Sequence, residues 1–437
     1  MGIRQHRKYS HFAIAALASA LLCAAPARAN DSGHLTADKT GQLSTAAGMR
    51  LHLMTDQGDV HITTQDSENV NYRVHLEVNS SDPNAQRILD AFTVVVRNTP
   101  DGVLLVGRSP HLHWGQHLWV TFEVAVPRNY NLDISTNGGG IRVSDIEGQV
   151  AAATDGGDIS AGQIGPARLI TDGGSIVVKG ASGNLTAQTG GGDISVGSVN
   201  GTAILRTGGG HIRVASIAGA GRLDTGGGNI YLEHAGSGLV VTTGGGDIEV
   251  GDASGVIHAR TGGGGIRVVH ASGPTELETG AGNVSLMQIE SAVRASTGSG
   301  GITAWFGPGA KLSSLCSLEA GEGDIVVYLP KELPITIDAL VELGGDHRVI
   351  VDPAFPLHMT YGEPDEGSQV VRAEGALNGG GARLVLRTVS GNIRLVLNDQ
   401  QREKQQLDLL NQQMDKLRKQ LEMNLNNLKK TPPPDEP

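Results

Sequence analysis

The middle of the chain repeats a pattern of apolar and polar positions every 18 residues. Apolar residues stand four and two positions before a threonine, and five and seven positions after it, as Leu239, Val241, Ile248 and Val250 do around Thr243. Alternation with a period of two predicts β-strands that bury one face. Each repeat therefore predicts two short strands, joined by the glycine-rich segment that follows the threonine.

The repeated threonine sets the register of the pattern. Ten windows run from TNGGGI to TGSGGI, and successive threonines lie 18 residues apart, except for one interval of 17. We expect these side chains to point inward as a column whose hydroxyls bond one another or the turn backbone. The glycines are expected to supply a positive φ at a tight corner. The column comprises Thr136, Thr154, Thr171, Thr189, Thr207, Thr225, Thr243, Thr261, Thr279 and Thr297.

A unit of two short strands cannot bury its own apolar face, but stacked copies can. The sequence therefore predicts an all-β fold, a single-stack β-solenoid of about ten to twelve 18-residue turns. An N-terminal β cap and a C-terminal α-helix complete the prediction. The predicted segments are a signal peptide (1–29), an N-terminal β cap region (30–130), the glycine-rich β-solenoid (131–330), an irregular β region with the last repeat (331–398), an amphipathic heptad helix (399–431) and a disordered tail (432–437).

The motif has weaker copies near both ends of the chain. Thr55 opens TDQGDV, and Thr388 opens TVSGNI. Between the tenth threonine and the last copy the period lengthens, with an insertion near residues 307–312. The ends of a solenoid need covering because open sheets pair with other chains. We therefore interpret the regions around these copies as caps.

From Asp399 to Lys430 the glycines vanish and leucines recur with a period of seven. Such a seam is typical of a helix that buries one stripe. Asn424 gives the seam one polar position. Two arrangements remain open, self-association into a coiled coil and packing on the solenoid. The candidate residues for oligomerisation are Leu407, Leu410, Met414, Leu417, Leu421 and Leu428.

The first 29 residues resemble a secretory leader. Basic residues precede a short apolar run from Phe12 to Leu22, and a small-x-small pattern ends at Ala29. We expect cleavage after Ala29; Cys23 leaves a lipidated form and a retained anchor as alternatives. The expected location is the periplasm, the outer cell surface or the extracellular space. No later segment is long and apolar enough to predict a transmembrane span.

The charge balance limits the choice of partners. The chain carries 34 basic and 45 acidic residues, and the leader holds four of the basic ones and none of the acidic ones, so its removal takes the formal charge from −11 to −15. This balance disfavours nucleic acid and anionic membrane surfaces as partners. Cys316 would be the one remaining cysteine, and we interpret it as a small buried hydrophobe.

The outward positions of the predicted strands do not indicate a catalytic cluster. In the columns one and three residues before the threonine and six after it, opposite charges follow each other, as in Arg206 and Asp224. The same holds for Arg260–Glu278, Glu276–Arg294 and Glu249–Arg267. Adjacent opposite charges are typical of a solvated sheet face, whereas a β-helix hydrolase would cluster carboxylates. We expect no enzymatic activity and no cofactor.

Three features of the sequence are similar to ligand-binding motifs, and each of them also has a structural interpretation. Aspartate appears only intermittently four residues after the threonine, which disfavours an obligatory calcium-binding β-roll. The triple-glycine turns lack the Lys-Ser/Thr of a phosphate-binding loop. His111, His113 and His117 lie within SPHLHWGQHLW and could ligate zinc, although such a run in an exposed hairpin tip is more often a polar loop. We therefore predict no metal site and keep these three histidines as candidates.

The stretch VPRNYNLDISTNGGGIRV, with the serial T-x-G-G-x-I units behind a leader, resembles the bacterial putative-adhesin family of β-strand-repeat proteins of unknown function. The resemblance spans Asp56 to Leu397 and is strongest from Pro127 to Phe306. It implies the β-repeat fold and suggests adhesion, and it brings no catalytic or ligand-binding residues. The heptad helix is not part of the family pattern.

Three functions are compatible with these observations. The leading hypothesis is a non-enzymatic, adhesin-like surface or envelope protein whose solenoid faces bind a surface glycan, a protein or a second copy. The alternative is a periplasmic scaffold or envelope-stress component that self-associates through residues 399–430. The remote alternative is a carbohydrate-active β-helix enzyme using an outward acid such as Glu276 or Asp224.

Overall fold

The computed structural model describes residues 23–24, 28–29, 33–112, 116–342, 347–362 and 370–428. It confirms the predicted fold class, with two large sheets of stacked strands and a C-terminal helix. Most of the proposed leader and the whole proline-rich tail lie outside the described residues. Two short strands of the leader, β1 (Cys23–Ala24) and β2 (Arg28–Ala29), pair antiparallel with β3 (His34–Ser44).

Each turn of the solenoid, called a rung here, has one strand in each sheet. From β10 to β29, the even-numbered strands contain the repeated threonine at or near their end and belong to sheet B, and the odd-numbered strands follow the glycine turn and belong to sheet A. Neighbouring rungs pair in parallel and in register, so that threonine lies opposite threonine, as in Thr207 and Thr225. The strands of the regular rungs are β10 (Asn131–Thr136), β11 (Ile141–Val143), β12 (Val150–Thr154), β13 (Ile159–Ile164), β14 (Ala167–Thr171), β15 (Ile176–Ala181), β16 (Leu185–Thr189), β17 (Ile194–Val199), β18 (Ala203–Thr207), β19 (Ile212–Ile217), β20 (Gly221–Thr225), β21 (Ile230–Ala235), β22 (Leu239–Thr243), β23 (Ile248–Ala253), β24 (Ile257–Thr261), β25 (Ile266–Ala271), β26 (Thr275–Thr279), β27 (Val284–Ile289), β28 (Val293–Ser299) and β29 (Ile302–Phe306).

The core is a stack of aliphatic layers between the two sheets. The residues at the four apolar positions of the repeat are buried on nearly every rung, for example Leu239, Val241, Ile248 and Val250. Because parallel strands in register place like side chains above one another, each layer repeats the one below it. The interior therefore needs few aromatic side chains over its regular part.

The threonine column is buried, and its hydroxyls bond to the turn backbone rather than to each other. Thr225 donates from Oγ1 to the carbonyl of Gly210 on the preceding rung, at 2.8 Å. The same oxygen accepts the backbone N–H of Gly228 on its own rung, at 3.2 Å. All ten repeat threonines donate in this way, over 2.7–3.2 Å. Each hydroxyl thus ties one glycine turn to the next.

The glycine turns have a different physical cause from the one predicted. Among the glycines that follow the repeated threonines in the described rungs, a positive φ occurs only near the ends of the stack, as at Gly139 and Gly300, so the expectation of a left-handed corner on every rung was wrong. The constraint is steric. A Cβ on Gly210, the third residue after its threonine, would lie 2.1 Å from the carbonyl oxygen of Gly192. A Cβ on Gly209 would meet nothing within 4 Å.

The N-terminal region contains the first rung as well as a cap. The strands here are β4 (Arg50–Thr55), β5 (Asp59–Gln65), β6 (Asn69–Asn79), β7 (Thr93–Thr99), β8 (Gly102–Arg108) and β9 (Leu118–Pro127), with a short helix α1 (Ala85–Ala91). Strands β4 and β5 pair in parallel with β10 and β11, so the TDQGDV segment is a true rung. The intervening chain extends both sheets with β6, β7, β8 and β9. This excursion covers the lower end of the core.

The C-terminal end is built in the same way. Its strands are β30 (Cys316–Glu322), β31 (Ile325–Leu329), β32 (Ile335–Val341), β33 (Val349–Val351), β34 (His358–Tyr361), β35 (Val371–Leu377), β36 (Ala382–Ser390) and β37 (Ile393–Leu397). The last repeat, β36 and β37, stacks in parallel on β30 and β31. Strands β32, β33, β34 and β35, inserted between these two rungs in sequence, lie beyond the last repeat and cover the upper end. The long helix α2 (Gln400–Asn427) then turns back along the rod.

Candidate binding surfaces

The outer face of sheet B is a flat surface of polar and charged side chains. Positions one and three before the threonine point outward along the whole stack, as the alternating burial of these strands shows. Their charges pair between rungs. Asp224 accepts from Arg206 at 3.2 Å and from Arg222 at 2.9 Å, and Glu278 accepts from Arg260.

One of the four predicted charge pairs forms differently. Glu276 was expected to pair with Arg294 on the next rung. Its carboxylate instead bonds to His258 Nδ1 on the preceding rung, at 2.9 Å. The shallow depression around Glu276, Glu278 and Arg294 has a volume of about 180 Å³. Both carboxylates there are already held by cationic or imidazole partners.

The column four residues after each threonine has a structural role. Asp247 Oδ1 accepts the backbone N–H of Gly265 on the next rung at 2.7 Å, and Asp193 accepts that of His211 at 2.8 Å. Asn229, His211 and Ser175 make the equivalent bond through other acceptor atoms. Because any side-chain acceptor of similar length can cap the next amide, aspartate is needed only intermittently. These contacts explain the intermittent pattern without calcium.

Sheet A presents a second outer face, part of which is covered by α2. The covered strip consists of residues six and eight positions after the threonine, together with Tyr328 of β31. We call this strip the α2 seat. Its members are Ser195, Gly197, Ala215, Tyr231, Glu233, Gly251, Val269, Met287, Trp305 and Tyr328. They point away from the solenoid core, and most are apolar.

The apolar contacts of α2 form two small clusters. Met414 and Leu421 pack with Tyr231 and Val269. Nearer the start of the helix, Leu410 packs with Met287 and Trp305, and the Trp305 ring stacks on Tyr328 with centroids 3.4 Å apart. An added Cβ on Gly251 would lie 3.2 Å from Met414 Cε, whereas one on Gly197 would lie at an ordinary contact distance of 3.5 Å from Leu425 Cδ1. The atoms closest to both positions are carbonyl oxygens of the preceding rung, that of Glu233 at 2.3 Å and that of Lys179 at 2.0 Å.

Polar contacts fix the position of the helix along the rod. Arg418 bonds to the carboxylate of Glu233, which is nearly buried. Asn424 Nδ2 donates to Ser195 Oγ at 3.1 Å. At the start of the helix, Asp399 accepts the N–H of Gln401 through its side chain at 3.0 Å, which is an N-cap. The polar position that interrupts the heptad seam is therefore a contact to sheet A.

Burial changes the acidity of one residue in the seat. Desolvation beneath α2 raises the pKa of the Tyr231 phenol well above its ordinary value, and the neighbouring Glu233 carboxylate acts in the same direction. The Tyr231 hydroxyl donates to the carbonyl of Met414 at 3.5 Å. The phenol must therefore stay protonated while the helix is in place.

Of the two arrangements left open for the heptad helix, the structure contains packing on the solenoid. Leu410, Met414 and Leu421 are buried against sheet A. Leu407 and Leu417 are partly buried beside them. Leu428, beyond the end of α2, is half-buried. Five of the six oligomerisation candidates thus form the inner stripe of a helix packed on its own chain.

The candidate zinc ligands lie beside an exposed aromatic group. His111 and His117 are exposed, whereas His113 falls outside the described residues. The ring of His117 lies 6.0 Å from that of Trp119, which stacks on His34 at 5.4 Å. Within the described part of the chain, no group of three or more His, Cys, Asp or Glu residues is arranged to hold a metal ion. The absence of a metal site in this loop stays a prediction.

Cys316 lies inside the upper part of the core and is fully buried. Burial raises the pKa of its thiol. A thiol that is buried and protonated is a poor nucleophile. The structure therefore places it where a small hydrophobe was expected.

Sequence reasoning missed the α2 seat, although a signal was present. The column eight residues after the threonine points outward, yet it carries Val269, Met287 and Trp305 on three successive rungs. Apolar side chains in an outward register indicate that something covers them. This column, read beside the heptad helix, would have favoured packing on sheet A.

The family of the chain follows from its repeat. Residues 48–271 match the family model described as Toastrack DUF4097, which is more than half of the chain. The chain belongs to the Toastrack DUF4097 family. The matched residues begin just before the first rung and end within the regular stack, so the Toastrack match covers the threonine–glycine ladder from its lower end upward.

Other comparisons add little to the Toastrack assignment. A solved structure named as a "putative cell adhesion protein" from Clostridium sporogenes is 9% identical and covers 83% of this chain and 99% of its own, with a TM-score of 0.17. No curated protein matches the chain. Among the described residues of this Toastrack protein, no helix is long and apolar enough to cross a membrane.

Proposed function

We propose that this chain is a non-enzymatic, exported envelope or surface protein that binds its partner, in an adhesin-like manner, through the outer face of sheet B. The observation that carries the proposal is the asymmetry between the two faces. Helix α2 covers the middle and upper part of sheet A, whereas sheet B keeps its outward columns open over the same rungs. A long, flat repeat surface suits extended contacts with a partner.

The pairing of surface charges supports binding rather than catalysis. General acid–base catalysis needs a free acid and base that face the substrate in a cleft. The outward acids Asp224, Glu276 and Glu278 are each bonded to an arginine or a histidine. Such pairs leave a nearly neutral surface that many partners can approach, since long-range repulsion is small.

The location is tested first by treating intact producing cells with protease and immunoblotting for the chain. We expect loss of the signal on intact cells, as for a surface protein. Lysed cells serve as the control for intrinsic protease sensitivity. Protection until lysis would place the protein inside the envelope and would favour the scaffold alternative.

The binding face is tested with two matched double variants of the labelled full chain on intact producing cells. Thr186→Glu with Thr242→Glu adds charge to the outer face of sheet B, and Thr63→Glu with Ser160→Glu does so on the uncovered part of sheet A. We expect the sheet B variant to bind about tenfold more weakly, the effect of roughly 1.4 kcal/mol. Equal binding by both variants would contradict the assignment of the face.

A further inference from the structure

The contacts beneath α2 are separate from the core of the solenoid. The seat residues Tyr231 and Val269, and likewise Met287 and Trp305, form clusters with the helix that are distinct from the continuous aliphatic core between the sheets. A helix that leaves this seat removes no side chain from the core. Detachment of α2 therefore does not require the rungs to unfold.

The closed position carries a local defect at its hinge. Two residues, Asn398 and Asp399, connect β37 to α2. The side-chain nitrogen of Asn398, Nδ2, donates to the backbone carbonyl of Phe306 at 3.2 Å and to the carboxylate of Glu403 at 3.0 Å. Its side-chain oxygen is buried without a partner. A buried, unpaired acceptor destabilises the state that contains it, so the closed hinge holds the helix less firmly than a fully bonded one.

Without α2, the seat would expose its apolar side chains to water, which is energetically unfavourable. It would expose two apolar clusters along sheet A, one of Trp305, Tyr328 and Met287 and one of Val269 and Tyr231. An exposed apolar patch of this kind favours association. The strip fits the helix closely at two points, since an added Cβ on Gly251 would lie 3.2 Å from Met414 Cε, and Glu233 lies beneath Arg418.

We propose that the α2 seat is an interaction surface for the α2 helix of a second copy of this chain. Two copies exchange their C-terminal helices reciprocally, each hinge opening at Asn398–Asp399, so that every seat is filled by the partner's helix. The same contacts form in the monomer and in the exchanged dimer, and the balance between them depends on protein concentration.

This inference goes beyond the proposed binding function and differs from a coiled coil. In a coiled coil the leucine stripes of two helices face each other. In the exchanged dimer each stripe still faces sheet A, and the outer face of sheet B stays free. The two arrangements place different residues within reach of Asn424: its own counterpart in a parallel coiled coil, and Ser195 of the other copy in the exchange.

Disulfide trapping in the full chain distinguishes the arrangements. The Ser195→Cys and Asn424→Cys single variants are mixed at rising protein concentration and then oxidised. The Ser195 Oγ and Asn424 Nδ2 atoms lie 3.1 Å apart, a proximity that makes a disulfide between the substituted positions plausible. We expect 195–424 linked heterodimers, identified by peptide mass spectrometry, whose yield rises at least severalfold with concentration. In this mixture the linkage can form only between copies.

The double variant provides the matched control. Ser195→Cys with Asn424→Cys in one chain should give an internal cross-link at low concentration and linked dimers at high concentration. An internal cross-link together with no heterodimer in the mixture would overturn the exchange. Linkage of Asn424→Cys to itself as the main product would indicate a coiled coil and would also overturn it, as would the absence of any 195–424 linkage. These outcomes leave the sheet B proposal untouched.

Discussion

At the residue scale, one pair of hydrogen bonds explains the recurring threonine–glycine motif. The threonine hydroxyl links the carbonyl of the third turn glycine on one rung to the amide of the same glycine on the next. Valine has the same shape and stronger β-propensity, yet it lacks both the donor and the acceptor. The need for both a donor and an acceptor explains why threonine recurs at a buried position whose neighbours in the core are apolar.

The threonine column can be tested by removing one hydroxyl. We expect Thr225→Val to lower the free energy of unfolding by about 1–3 kcal/mol, because it leaves a buried carbonyl and a buried amide without a partner. Urea denaturation followed by circular dichroism measures the change. Thr242→Val, on the outward side of sheet B, is the control and should change stability by less than about 0.5 kcal/mol. Equal effects would mean that the column is not held by these bonds.

Adjacent glycines of one turn should respond in opposite ways to alanine. Gly210→Ala places a methyl group 2.1 Å from the carbonyl of Gly192, and we expect it to cost about 1–3 kcal/mol or more. Gly209→Ala meets open space, so it should be neutral or stabilise by up to about 1 kcal/mol through the unfolded chain. Thermal melting of the two variants measures the difference. A similar loss for both would refute the steric explanation.

The sequence predicted the position of these residues but not the contacts that require them. A period of 18 is visible because every rung requires the same core residues and the same threonine and glycine contacts. The predicted cause of the glycines was wrong because the amino-acid sequence does not show that the carbonyl of Gly192, on the preceding rung, lies against the Cα of Gly210. The same limit applies to the column four residues after each threonine. There the side chains of Asp247, Asn229 and His211 accept the same backbone hydrogen bond through a carboxylate, an amide and an imidazole.

At the element scale, the heptad pattern of α2 predicted a helix with one buried stripe and left its partner undetermined. A stripe of leucines is equally compatible with another helix and with a sheet. The decision depended on outward side chains more than 100 residues earlier, such as Met287 and Trp305. Long-range pairing of this kind is not visible within a local window of sequence.

Ending the chain after residue 398 should uncover the seat without unfolding the rungs. We expect the β-type circular dichroism spectrum to persist and the tryptophan emission to shift to the red, because Trp305 loses its cover. The Trp305→Phe variant of the same truncated chain identifies the contribution of this residue. An unchanged emission spectrum would show that Trp305 is shielded by something other than α2.

The helix should also detach at alkaline pH. Folding raises the pKa of the Tyr231 phenol above its ordinary value near 10. The stabilisation that goes with this shift is complete below about pH 10 and is lost as the pH rises further, because the unfolded or detached phenol gives up its proton more readily. Emission of Trp305 during a titration from neutral to alkaline pH measures the release. In Tyr231→Phe this alkaline transition should weaken or disappear, and its persistence would assign the release to another group.

At the scale of the whole molecule, the rod consists of similar rungs, and a segment of additional strands covers each end. The sequence predicted the stack and both caps, but it placed the start of the stack too late. Strands β4 and β10 are neighbours in sheet B although Thr55 and Thr136 are 81 residues apart in sequence. Local periodicity is interrupted there, so only the three-dimensional pairing reveals that the TDQGDV segment is the first rung.

Deleting one complete rung below the seat should leave a shorter folded rod. Removing residues 155–171 joins Thr154 to Asp172 in the register of the repeat. Because each rung contacts chiefly its neighbours, we expect a cooperative thermal transition and a rod shorter by about 4.8 Å, measurable by small-angle X-ray scattering. A deletion of residues 160–175, one residue shorter, is the control, because it joins Ile159 to Ile176 and shifts the inward and outward positions of this sheet A strand by one residue. Unfolding of both variants alike would argue against independent rungs.

The contacts of α2 also limit how this rod can change in length during evolution. Between Ser195 and the hinge at Asn398 the stack rises by eight rungs, about 38 Å at 4.8 Å each, and the 24 steps of helix from Gln400 to Asn424 span about 36 Å. A duplicated or lost rung inside this interval would displace Asn424 from Ser195 and Arg418 from Glu233. Helix α2 also contacts β15, whereas the described rungs below that strand make no comparable contact with it, so related chains should vary in copy number there and keep a constant count beneath the helix.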